Sequence, residues 1–210
     1  MLAGVNGAGK SSIGGAAIHH AGAHYFNPDE AAGRLVQAHP GLGQREANGA
    51  AWEEGRRLLE RAIHERLDFA FETTLGASTM TKMLIQAAES GFEIHVWYAG
   101  LASVEMHLAR VRARVRGGGH DIPEADIRRR FQSSRMNLIQ LLPHLASVRV
   151  YDNSIEGDPA KGHAPSPRLL LHRERDRIRA PQDLAMTPEW AKPVVAAALK
   201  IAASQRAKTR

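Results

Sequence analysis

Short apolar runs recur along this chain, each followed by a longer stretch whose apolar residues return at helical spacing. Residues 1–3 form a stub of strand that runs into a glycine-rich turn and then a helix over 9–20. A second strand is expected over 24–27. Pro28 then opens a helix, with Asp29 and Glu30 well placed against its dipole. Residues 39–43 (His-Pro-Gly-Leu-Gly) are a break. The stretch 44–67 is charged and periodic, with Trp52, Leu58, Leu59, Ile63 and Leu67 predicting its apolar face. Phe69, Ala70 and Phe71 predict a third strand that ends in Glu72, Thr73 and Thr74. A helix over 78–89 is stopped by Gly91, and the β-branched and aromatic run over 92–101 contains a fourth strand. Helices over 104–116 and from about 123 to 142 flank Gly117, Gly118 and Gly119, and a fifth strand covers 146–151.

Past Asp152 the pattern weakens: 168–172 and 175–179 pair as a small hairpin, and 188–205 reads as a closing amphipathic or surface helix. Strands and helices alternating at this spacing predict an α/β three-layer sandwich around a parallel, about five-stranded sheet. The expected division is a core over 1–154 and a C-terminal hairpin and helix extension over 155–210, packed on the same domain.

Composition narrows the chemistry. With 210 residues, 43% hydrophobic and 24% charged, the chain is globular rather than disordered, collagen-like or disulfide-stapled. It has no cysteine, which removes disulfides, thiolate zinc sites, Fe–S clusters and cysteine nucleophiles, and is what a reducing cytoplasm permits. The longest apolar stretch, 194–203, is broken by Lys200 and is shorter than the roughly 18–20 residues that span a bilayer. No secretory signal pattern opens the chain. A cytoplasmic protein without a membrane partner is therefore expected. The net charge of +6 predicts attraction to polyanions, nucleotides and nucleic acids alike.

The most specific feature is Gly4-Val5-Asn6-Gly7-Ala8-Gly9-Lys10-Ser11, which fits the Walker A pattern G-x-x-x-x-G-K-[ST] between an apolar stub and a helix-forming stretch. Glycines let successive backbone N–H groups turn in around phosphates, Lys10 adds a point charge, and the Ser11 hydroxyl offers a ligand to Mg²⁺. Gly4, Asn6, Gly7, Ala8, Gly9, Lys10, Ser11 and Ser12 are thus candidate nucleotide-binding residues, with Ser11 the candidate metal ligand. Only three residues precede Gly4, so either the chain begins inside the strand or the strand is abbreviated.

Asn27-Pro28-Asp29 falls at the carboxyl end of the second strand, where open α/β sheets bind ligands. Asp29 there reads either as a base for an attacking hydroxyl or as part of a helix start capped by Asn27. Glu72, Thr73 and Thr74 read as a polar pocket floor or as a strand-to-helix turn. Between Arg110 and Arg135 stand eight arginines. They read as a solvated basic face, or as a lid over about 110–131 hinged at Gly117–Gly119 that carries guanidinium groups onto a phosphoryl group. His120 follows the glycines as a candidate substrate contact. No histidine spacing suggests a metal cluster.

Together GVNGAGKSS (from Gly4), Asn27-Pro28-Asp29, FAFETT (from Phe69), RVRARVRGGGHDIP (from Arg110), IRRRF (from Ile127) and YDNS (from Tyr151) resemble the zeta-toxin family of P-loop kinases, in particular its short members. The resemblance runs from Met1 to about Ser154. It implies a P-loop NTPase-type fold with a helical lid, and a kinase that uses ATP or GTP with Mg²⁺ to phosphorylate a hydroxyl of UDP-N-acetylglucosamine or another nucleotide sugar. It also implies restraint by a small antitoxin protein. Carried over by position, Lys10 and Ser11 bind phosphates and Mg²⁺, Asp29 is the base, and Asn27, Glu72, Thr73, Thr74 and His120 face the acceptor. Arg114 and the Arg128–Arg130 group, Arg129 foremost, stabilise charge, and Asp152 and Asn153 lie near the nucleotide base. The alternatives are a nucleoside or polynucleotide kinase, and a nucleotide-regulated binding module without catalysis.

Overall fold

The computed structural model describes residues 1–10, 13–14, 25–155, 166–181 and 184–208. Ser11, Ser12 and most of the helix expected over 9–20 lie outside the described residues.

Seven strands form one sheet: β1 (Leu2–Ala3), β2 (Tyr25–Phe26), β3 (Ala70–Thr73), β4 (His95–Gly100), β5 (Ser147–Asp152), β6 (Arg168–Glu174) and β7 (Arg177–Ala180), in the order β2-β3-β1-β4-β5-β6-β7. The first five in that order are mutually parallel. β6 and β7 continue the sheet antiparallel, with Ser147 opposite Glu174 and Asp152 opposite Arg168. The expectation of a purely parallel, five-stranded sheet is corrected accordingly: the sheet is mixed. The physical reason is the free edge of β5, whose unpaired N–H and C=O groups the hairpin takes up. β1 is as short as its sequence implies, yet it lies between β3 and β4 and pairs with both.

Six helices are described: α1 (Pro28–Ala38), α2 (Gln44–Glu65), α3 (Ser78–Glu89), α4 (Val104–Arg116), α5 (Glu124–Leu141) and α6 (Lys192–Lys208). Asn27 caps α1, its Oδ1 accepting from the backbone N–H of Asp29 at 3.0 Å and of Glu30 at 3.5 Å. Ser103 caps α4 through Met106 N–H at 3.3 Å. The glycine run closes α4 in a Schellman motif: Gly118 has φ +88°, its N–H reaches Val115 O, and Gly119 N–H reaches Arg114 O, both at 3.0 Å.

α2 buries part of the face that its large apolar residues predict, Leu59 being buried and Leu58 and Ile63 packing against the core, but the centre of the buried stripe is shifted toward small residues. Ala47, Ala51, Gly55 and Ala62 are buried beside Leu59, whereas Trp52, and Leu67 just past the helix, are exposed. The cause is close approach to β2: a Cβ on Gly55 would lie 2.7 Å from the Phe26 ring. A row of small residues is what that distance admits.

The main core joins Phe26, Phe71, Val96, Tyr98, Val148, Val150 and Leu171 of the strands to Leu84, Leu138 and Leu141 of the helices, and includes Trp190, Val194 and Ala198 near the C-terminus. A second cluster, Val5, Leu108, Val111, Ile122 and Ile127, ties the glycine-rich loop to α4, α5 and the segment between them. No helix among the described residues is long and apolar enough to cross a membrane.

Candidate functional site

The loop after β1 is built by its neighbours as much as by its own glycines. Gly4, Gly7 and Gly9 all have positive φ, at 141°, 80° and 79°. Gly4 N–H bonds to Thr73 O at 3.1 Å, and Ala8 N–H closes a turn onto Val5 O at 3.0 Å. From outside, His107 of α4 contacts Asn6 O through Nδ1 at 2.8 Å, and Asn153, just past β5, donates from Nδ2 to Ala8 O at 2.9 Å. A carbonyl can only accept, so the His107 ring carries its proton on Nδ1. Burial pushes the His107 pKa down to about 4, aided by the nearby charges of Lys10 and Arg110, and keeps the ring neutral.

Lys10 and Glu72 form an ion pair across the mouth of the loop, Nζ to Oε2 at 3.9 Å, both almost wholly buried. Glu72 also accepts from the Tyr25 hydroxyl at 2.5 Å. Burial and this carboxylate raise the tyrosine pKa, which holds the hydroxyl protonated as a donor. β2 and β3 pair Phe26 with Phe71, which brings Asn27 and Glu72 next to each other at the carboxyl edge of the sheet. Thr73 Oγ1 accepts from Leu75 N–H at 3.0 Å and so shapes the turn that follows β3.

Asp29, in the first turn of α1, faces the segment after α4. Arg114 Nη1 is 3.3 Å from its Oδ2, and His120 Nε2 is 3.7 Å from its Oδ1. The same guanidinium donates from Nη2 to His120 O at 3.1 Å, so one side chain holds both residues. Burial lowers the His120 pKa, Arg114 adding to the shift and Asp29 opposing it.

The arginine run divides by orientation. Arg130 Nη1 donates to Asn6 Oδ1 at 2.9 Å, and burial lowers its pKa. Arg129, one residue earlier, is 68% exposed and bonds to Asp126 at 2.8 Å. Arg128 and Arg112 pair with Glu124 at the surface, and Arg128 reaches Glu105 as well. Arg110 donates to Asn153 O at 2.8 Å. Asp152 meets Ser154 through Oδ1 and Arg168 through Oδ2, at 3.7 Å for the latter.

Of the residues singled out in the sequence, the loop from Gly4 to Lys10, Glu72, Thr73 and Asn153 are thus linked by direct contacts. Asn27, Asp29, Arg114 and His120 form an adjoining group, connected to the loop by charge through Arg130. Arg129 joins neither, and Asp152 turns toward the hairpin. His107 is not among the residues singled out in the sequence; it shares the buried face of α4 with Leu108 and Val111. The same reading of phase on α5, where Ile127, Ser134, Asn137, Leu138 and Leu141 are buried, turns Arg130 inward and Arg129 outward.

Mg²⁺ favours hard oxygen donors and needs few from the protein. The carboxylate of Glu72 beside the loop fits that preference, and Ser11 lies outside the described residues. Among the described residues no group of three or more His, Asp or Glu side chains forms a metal cluster.

No family model matches the chain. It is 32% identical over 133 residues to an "Uncharacterized protein" of Haemophilus influenzae, an alignment covering 61% of this chain and 88% of that protein. Among solved structures it is similar to a chain of the AvrRxo1-ORF1:AvrRxo1-ORF2 complex with sulphate ions and to the same complex with ATP. Each has a TM-score of 0.65 and 16% identity, over 94% of this chain and 62% of that chain. The chain therefore spans 62% of the length of those relatives. It is also similar to a chain from the PezAT chromosomal toxin-antitoxin system of Streptococcus pneumoniae, with a TM-score of 0.52 and 16% identity, over 79% of this chain and 73% of that one. These likenesses show that the chain shares the α/β fold of those proteins.

Proposed function

The chain belongs to the same family as the Haemophilus influenzae protein, a relationship that carries no activity with it, and we propose from the site itself that it is a phosphotransferase. It moves the terminal phosphoryl of ATP or GTP to a hydroxyl of a small molecule, with a nucleotide sugar such as UDP-N-acetylglucosamine as the acceptor class. The observation that carries this reading is the junction of a glycine-rich loop with an aspartate, arginines and a buried glutamate at one sheet edge. ATP is present in one of the AvrRxo1-ORF1:-ORF2 structures, which supports nucleotide binding by this chain.

In this reading the N–H groups of the loop cradle the β and γ phosphates, and Lys10 leaves Glu72 to pair with them. Asp29 accepts the proton of the acceptor hydroxyl on Oδ1, because Oδ2 is engaged by Arg114. The hydroxyl oxygen forms the new bond to the γ phosphorus, the β–γ bridging bond breaks, and the electron pair leaves with the nucleoside diphosphate. Arg114 and Arg130 offset the charge that spreads over the transferring group. Ser11, by its place in the sequence motif, and Glu72 would hold Mg²⁺, which would neutralise phosphate charge when bound. The two-component neighbours, a complex of two reading frames and a toxin-antitoxin system, support an inhibitory protein partner for this chain.

The test is a transfer screen with γ-labelled ATP and GTP against nucleotide sugars, nucleosides and oligonucleotides, with Lys10→Ala and Asp29→Asn beside the wild type. Label should pass to a nucleotide sugar and to neither variant's product. Transfer that survives Asp29→Asn sinks the base assignment, and label on oligonucleotides alone replaces the acceptor class.

A further inference from the structure

How well a glycine-rich loop binds phosphate depends on which way each of its peptide planes is turned. In a trans peptide the C=O of one residue and the N–H of the next point in opposite directions. Whatever holds the carbonyl on the outside of the loop therefore aims the following amide inward. Two side chains do this here, His107 on Asn6 O and Asn153 on Ala8 O. The amides on the far sides of those two peptides belong to Gly7 and Gly9.

Both glycines lie at positive φ, where backbone preference alone does not hold one orientation over its mirror. An external hydrogen bond decides it. The two braces stand directly against the loop: a Cβ on Gly9 would lie 2.3 Å from Asn153 Nδ2, and one on Gly7 would lie 2.9 Å from the His107 carbonyl. Both side chains are buried, at 1% and 4% exposure, so water does not compete for the carbonyls. Asn153 is itself anchored, its N–H on Gly100 O at 2.9 Å and its C=O accepting from Arg110. His107 packs edge-on against Phe131 of α5 at 5.7 Å.

We infer that His107 and Asn153 are positioning residues of the phosphate loop, braces on its outer side that hold the Gly7 and Gly9 N–H groups toward bound phosphates. The inference rests on the nucleotide reading of the loop and deepens it. It also assigns Asn153 a task other than contact with the nucleotide base, which the family resemblance implies.

The experiment is a calorimetric titration of the full chain with MgATP and, separately, with inorganic tripolyphosphate, on wild type, His107→Leu, Asn153→Ala and His107→Asn. His107→Leu and Asn153→Ala are each expected to raise the Kd by about tenfold, the effect of one hydrogen bond's misplacement, and by the same factor for both ligands. His107→Asn keeps an N–H donor near the Nδ1 position and should return binding to within about threefold of wild type. Unchanged affinity in both the leucine and alanine variants overturns the inference. So does a loss confined to MgATP, which would make Asn153 a base contact. If the wild type binds neither ligand, the loop reading itself fails, and the inference with it. Should His107→Leu not fold, the ¹⁵N spectrum of the histidines in the wild type decides. A neutral ring protonated on Nδ1 whose resonance moves with tripolyphosphate supports the brace, and a ring protonated on Nε2 overturns it.

Discussion

His107 spends its Nδ1–H on a carbonyl, so a second proton has only Nε2 to occupy, in surroundings that exclude water. Its folded pKa of about 4 lies below the 6.5 of the free side chain. The unfolded chain therefore takes up this proton first as pH falls, and stability present above pH 6.5 drains away toward pH 4. The loss attributable to this one residue is on the order of 2–3 kcal/mol. Urea unfolding at pH 7 and pH 4.5 should show it as a difference between wild type and His107→Asn, whose pH slope is shallower. Equal slopes would remove the burial argument. The arginines make a second residue-scale case. Arg130→Ala should lower kcat by roughly ten- to a thousandfold if its charge acts in the transition state, while Arg129→Ala, solvated and paired to Asp126, should leave turnover unchanged. In the sequence the two are adjacent and chemically identical, and only helical phase against Ile127 and Ser134 separates them.

Within an element, the same substitution can change sign with its surroundings. Glycine inside a helix ordinarily costs about 1 kcal/mol relative to alanine. Gly49 of α2 has open space around its would-be Cβ, so Gly49→Ala should stabilise the chain by about that amount. Gly55, two turns on, faces the Phe26 ring at 2.7 Å, so Gly55→Ala should destabilise by about 1–3 kcal/mol through overpacking. Thermal unfolding of the two variants in parallel tests the pair, and a shared sign would contradict the packing assigned to α2. At the end of α4, Gly118 meets nothing within 4 Å but holds φ +88°. Gly118→Ala isolates the conformational cost of a left-handed residue, roughly 1–2 kcal/mol. The helix-capping chemistry at Asn27 was readable from residue type and position alone. The Schellman closure was not distinguishable from a hinge, because three consecutive glycines permit either.

For the molecule as a whole, a ligand that binds only the folded state must raise its melting temperature. At a hundredfold excess over Kd the gain is about 2.7 kcal/mol, or roughly 5–10 °C for a chain of this size. MgATP should produce such a shift in a thermal melt, and Lys10→Ala should abolish it. The order of the described elements, the glycine-rich loop after β1, the start of α1 and the five parallel strands were all legible in the sequence, because periodicity, capping and glycine spacing are local properties that a window of residues carries in full. The antiparallel extension of the sheet, the small-residue face of α2, the contact of Arg130 with Asn6 and the two braces on the loop were settled by tertiary structure. Their contacts join positions far apart in the chain: Asn6 with His107 across 101 residues, Asn6 with Arg130 across 124, and Ala8 with Asn153 across 145. No local pattern encodes such a meeting, which exists only once parallel strands have brought their carboxyl ends to one edge of the sheet.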